Sequence, residues 1–113
     1  MNDTDKDLRD IRERVSEFLT PLYARKIIDK VAFENLENCV RCFARKIKGS
    51  ELVPRSVLNE IKVTIGVLRA EAHCLGAEAS ITIDMANRLE MILDLILRGE
   101  SPDDRIPGVP RII

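Results

Sequence analysis

Apolar residues recur at alternating steps of three and four along almost the whole chain, and this spacing decides the fold class. It is the period of an amphipathic α-helix, and strands would alternate at two. Leu8, Ile11, Val15, Phe18 and Leu22 mark a first helix from about Thr4 to Leu19. Asp5 and Asp7 sit in its first turn, where the helix dipole favours negative charge. Thr20-Pro21 then interrupts the pattern. Either Pro21 restarts a short helix through Ile28, or one long helix kinks there.

A second helix begins near Asp29 to Val31 and carries Phe33, Leu36, Val40, Phe43 and Ile47. Lys46 and Lys48 followed by Gly49 are stop signals. A linker with the string LVPRS follows; it resembles a thrombin recognition sequence but lies mid-chain and reads as native loop. The third helix spans about Arg55 to Leu75, with Leu58, Ile61, Ile65, Leu68 and Ala72 on one face and Gly76 as its stop. The fourth is expected to start with a Ser80 or Thr82 cap and to stop at Gly99. Ser80-Ile-Thr-Ile83 has strand character, but no second strand candidate exists to pair with it. The expected fold is therefore all-α, a small bundle of four main helices, or five if Pro21 starts its own. It forms one domain over residues 1–99, with an extended proline-rich tail over 100–113.

Composition agrees with a folded domain. Apolar residues make up 45% and charged residues 33% of the 113. The 18 basic and 19 acidic side chains nearly cancel, which argues against a globally basic nucleic-acid binder. The charged N-terminal stretch is unlike a secretory signal, and no apolar run is long enough to span a membrane. A cytoplasmic location is expected.

Helix four carries more apolar surface than a single core face needs. Ile81, Met85, Leu89, Ile92 and Ile96 form one stripe, widened by Ala86, Leu93 and Leu97 on one side and by Met91 and Leu95 on the other. Helix three has a second stripe of Val63, Val67, Ala70 and Cys74. Surplus of this kind predicts self-association, by default as a two-fold homodimer, through Met91, Leu93, Leu95, Leu97, Val63 and Val67. The alternative is a helix four that is simply central to the bundle. In the tail, Ile106, Val109, Ile112 and Ile113 are spaced to lie in a groove of this or a neighbouring chain.

Most candidate chemistry fails on geometry. Cys39 and Cys42 stand one helical turn apart, and His73-Cys74 could nominally complete a zinc site. Adjacent residues on a helix diverge by about 100°, however, so His73 and Cys74 converge poorly on one ion or as a nucleophile pair. The three cysteines are odd in number for a disulfide framework, and Cys39 and Cys74 fall on or beside apolar stripes. They are expected to be reduced thiols packed as small hydrophobes. No phosphate loop, nucleophile elbow or HExxH string occurs. Neither catalysis, a cofactor nor a metal is expected.

One charge cluster stands out. Arg41, Arg45, Lys46, Lys48 and Arg55 face a single acid, Glu51, for a net +4. Arg41, Arg45 and Lys48 share a sector of about 60° opposite the Phe33/Val40 stripe. They read either as complements to a helix C-terminus or as a site for a nucleotide or nucleic acid. The favoured expectation is a small binding protein with a protein partner, as found among regulatory, inhibitory, antitoxin and immunity proteins of bacteria and phage. The anionic-ligand binder is the alternative, and steep salt dependence would distinguish it.

Overall fold

A computed structural model describes residues 3–104, and within them the chain is an all-α bundle. Its walls are α1 (Asp3–Arg25), α2 (Lys30–Lys46), α3 (Arg55–Glu71) and α4 (Ala79–Leu97). Single 3-10 turns occupy Ala72–Cys74, Gly76–Glu78 and Pro102–Asp104. Ser80 to Ile83 are helical, and there is no strand among the described residues.

α1 and α2 form one hairpin, α3 and α4 the other, and the hairpins meet as α1 on α3 and α2 on α4. Polar contacts give the directions. Asp7 near the start of α1 meets Lys46 at the end of α2 at 3.1 Å, so these helices are antiparallel. Arg12–Glu60 and Lys26–Glu71 run in the same order along α1 and α3, which are therefore parallel. Glu37–Arg88 and Gly49–Gly99 do the same for α2 and α4. The starts of α1 and α3 thus share one end of the bundle with the finishes of α2 and α4.

Local signals account for most boundaries. The Asp29 carboxylate accepts from the Ala32 N–H at 3.0 Å and caps α2. Gly49 (φ +77°) and Gly99 (φ +75°) take the left-handed conformation past α2 and α4. They also join the two ends, since the Gly49 N–H donates to the Gly99 carbonyl at 3.0 Å. α1 is one helix straight through Pro21, so there is no separate fifth element. Pro21 has no N–H to donate, and the rung back to Glu17 is missing. Two boundaries differ from expectation. α3 ends at Glu71, four residues early, and the chain turns through 3-10 geometry to Gly76. α4 starts at Ala79, so neither Ser80 nor Thr82 caps it. Thr82 lies inside the helix, and its hydroxyl donates back to the Glu78 carbonyl at 2.8 Å.

The core is drawn from the expected stripes, except that Ile81 at the head of the α4 stripe is exposed and Leu8, Val15, Ile47 and Leu58 are only partly buried. Ile11, Phe18 and Leu22 meet Phe33, Leu36, Val40 and Phe43 from α2. Val57, Ile61, Ile65 and Leu68 come from α3, and Met85, Leu89, Ile92 and Ile96 from α4. Burying a side chain of this size is worth about 1.5–3 kcal/mol. The Phe18 and Phe33 rings pack edge to face, centroids 5.4 Å apart.

The compact unit continues past Gly99. Ser101 is buried and Asp103 pairs with Arg45 at 2.9 Å, so residues 100–104 fold back on α2 instead of starting an extended tail. The proposed tail contacts Ile106, Val109, Ile112 and Ile113 lie outside the described residues.

Candidate protein-docking surface

Two ends of the bundle compete as functional sites. The first holds the basic cluster. Arg45 is paired with Asp103, and Lys46 with Asp7. Arg41 reaches Glu37 at 3.3 Å, and Lys48 is engaged as well. Arg55 is exposed at the first position of α3. Two parallel helices, α2 and α4, end here side by side, and their summed dipoles attract cations. Asp7 and Asp103 from other elements and Glu37 from α2 itself then meet those cations.

Glu37 was not visible in the sequence as anything but surface charge. It is buried on α2 and bound by Arg88 of α4, whose Nε donates to it at 3.0 Å while a second guanidinium nitrogen binds the other oxygen. Arg88 also lies over the Phe33 ring at 5.2 Å. This fork joins the two hairpins. Only the position of Glu37 beside the Phe33 stripe, at a step of four, hinted at burial.

The opposite end is built from the α1–α2 connection. α1 closes on Lys26, a non-glycine residue at φ +56°. The Lys26 N–H donates to the Leu22 carbonyl at 3.0 Å, and that of Ile27 to the Pro21 carbonyl at 3.3 Å. A left-handed lysine costs about 1 kcal/mol or more. Its side chain donates to Glu71 of α3 at 2.8 Å, and this hydrogen bond holds its ammonium above the ordinary lysine pKa. The turn sets Pro21, Ile27, Ile28 and Val31 around an open concavity of about 550 Å³. Ile27 is 46% exposed and Val31 67%. Arg25 and Lys30 stand on its rim, while the Asp29 carboxylate is committed to its cap.

The surfaces expected to self-associate divide. Leu95 is wholly buried within its own chain and is not available to a second copy. Met91, Leu93 and Val67 are half-buried against the core. Val63, midway along α3, is 53% exposed, and Leu97, the last residue of α4, is 63% exposed. Much of the apolar excess on helix four thus goes into its own bundle.

The thiols also depart from expectation. Cys74 is exposed, because α3 has ended before it and the second stripe does not extend that far. Cys42 is exposed too, 3.7 Å from an Arg45 nitrogen. Cys39 is half-buried, and burial pushes its thiol pKa up. With Asp10, Arg14, Asn35 and Asn38 these two line an open cleft of about 440 Å³. Among the described residues no group of three or more His, Cys, Asp or Glu converges to hold a metal ion. No described helix is long and apolar enough to cross a membrane. No protein-family model, curated protein or solved structure matches this chain.

Proposed function

We propose that this chain is a non-enzymatic binding protein of a regulatory or inhibitory kind, which docks another protein at the corner formed by Pro21, Ile27, Ile28 and Val31. The observation that carries this is the open apolar concavity around that turn. Apolar side chains pooled around a depression mark interaction sites more often than bare surface. Backbone strain at Lys26 supports the reading, because strained residues cluster where a surface is held in shape for a ligand. Arg25 and Lys30 on the rim favour a partner that presents apolar side chains ringed by carboxylates.

The same rim argues against a second copy at this corner, since two basic rims would repel. A homodimer would instead use apolar residues exposed elsewhere, Val63 on α3 and Leu97 at the end of α4. The basic cluster is less favoured as a nucleotide or nucleic-acid site, because an incoming phosphate would have to displace Asp7, Asp103 and Glu37 from Lys46, Arg45 and Arg41.

A photo-crosslinking amino acid at position 31, compared with one at position 48, tests the proposal in the native cell. A discrete protein adduct from position 31 that disappears with Arg25→Glu is expected. Equal labelling from both positions, or none from position 31, would refute it.

A further inference from the structure

We infer that the Arg55–Ser56 peptide bond is a cleavage site for an arginine-specific serine endoprotease, and that the cut product stays together as a nicked bundle. Leu52-Val53-Pro54-Arg55-Ser56 supplies what such a protease reads. A guanidinium fills a primary pocket with a carboxylate at its base, the preceding proline fills a small apolar pocket, and a small residue follows the cut.

The structure leaves Leu52, Arg55 and Ser56 of this string exposed and Val53 and Pro54 half-buried. No helix covers residues 50–54, and Leu52 is 89% exposed. Pro54 is extended, at φ −72° and ψ 113°, the backbone shape of a strand-like bound substrate. Arg55 and Ser56 are both exposed. They lie in the first turn of α3, which, like that of α4, starts without a side-chain cap. Asp29 by contrast caps α2, and no acid stands in the first turn of α3. Its first turn hangs on the Val57 and Leu58 N–H groups, which both donate to the Pro54 carbonyl at 3.2 and 3.3 Å. Extending Arg55 and Ser56 breaks these two bonds and also the helical bonds that their own carbonyls accept at the start of α3, so the cut needs this first turn to open locally. Val57 is fully buried and limits how far the opening runs.

The chemistry is ordinary hydrolysis. The protease serine oxygen adds to the Arg55 carbonyl carbon, the bond to the Ser56 nitrogen breaks, and that nitrogen leaves as a protonated amine. Water then releases the Arg55 carboxylate from the acyl-enzyme. The break falls one residue into α3, just past the connection between the two hairpins. Glu37–Arg88, the Gly49–Gly99 hydrogen bond and the shared core still join them.

The test uses thrombin as probe on the full folded chain, followed by mass spectrometry and gel filtration. Fragments 1–55 and 56–113 that elute as one particle are expected. Arg55→Gln should slow the cut at least tenfold without changing circular dichroism. A free peptide of residues 49–60 should be cut faster than the protein, since its first turn needs no opening. The Val-Pro-Arg string recurs at 109–111, outside the described residues and before bulky Ile112. A cut there removes only Ile112-Ile113 and is recognised by mass. The proposal fails if the folded chain is cut at Arg111 alone, or if Arg55 is cut only in urea. A faster cut at another described residue also overturns it, and fragments that separate on the column overturn the nicked bundle.

Discussion

The two ends of this bundle carry similar sequence signals and have opposite outcomes. At the end where α2 and α4 finish, a dense basic run meets Asp7 and Asp103 from neighbouring elements and Glu37 from its own helix. At the end where α1 finishes, Arg25 and Lys30 border exposed Ile27 and Val31. The first end is conspicuous in the sequence and satisfied in the fold. The second is inconspicuous in the sequence and leaves apolar surface open. A charge run therefore says little about binding until the charges opposite it are known.

The sharpest break in this comparison is between two leucines on one helix. Leu95→Glu should unfold the chain, because an unpaired charge placed at a wholly buried position costs several kcal/mol. Leu97→Glu, two residues on, should leave melting nearly unchanged. If light scattering finds wild type at twice the chain mass, Leu97→Glu should return it to 12.8 kDa. A wild-type monomer would remove the dimer proposal.

Next comes the fork between the hairpins. Arg88→Ala leaves the buried Glu37 with Arg41 alone, and loss of about 2–3 kcal/mol in urea unfolding is expected. An unchanged midpoint would mean that water replaces Arg88 at Glu37.

The glycine junction gives a smaller effect at the satisfied end. Gly99→Ala forces a side chain into a left-handed position and should cost about 1 kcal/mol. At the open end Lys26→Gly relieves the same strain but loses the exposed Glu71 pair. Its melting temperature should rise slightly or stay level, and a fall would show that the pair outweighs the strain.

The smallest effects concern thiols. Thiol titration should label Cys42 and Cys74 before Cys39, whose pKa is raised by burial and by the Asp10 charge. Because its folded pKa lies above the unfolded value, Cys39 favours the folded state below the ordinary thiol pKa. That contribution is lost as pH rises through the folded value. Cys39→Ala should flatten this alkaline loss of stability.

The helices were legible because each stripe repeats at helical spacing, and Gly49, Gly76 and Gly99 punctuate them. The early end of α3 was not, since Ala72 and Leu75 keep the spacing while the backbone turns to 3-10 geometry. Extrapolating 100° per residue across that end misplaced Cys74. The candidate corner was missed for a related reason. Ile27, Ile28 and Val31 straddle two helices, and no single-helix stripe joins them.

Sequence alone determined the all-α class, the core stripes and most helix stops, because spacing, caps and glycines act through neighbours in the chain. The tertiary structure alone decided which charges are spent and which apolar groups stay exposed. Glu37 is buried only because Arg88, 51 residues away, reaches it. Leu95 and Leu97 differ only in which side of α4 the bundle covers. Long-range pairing of this kind depends on how the helices pack, and no local spacing records it.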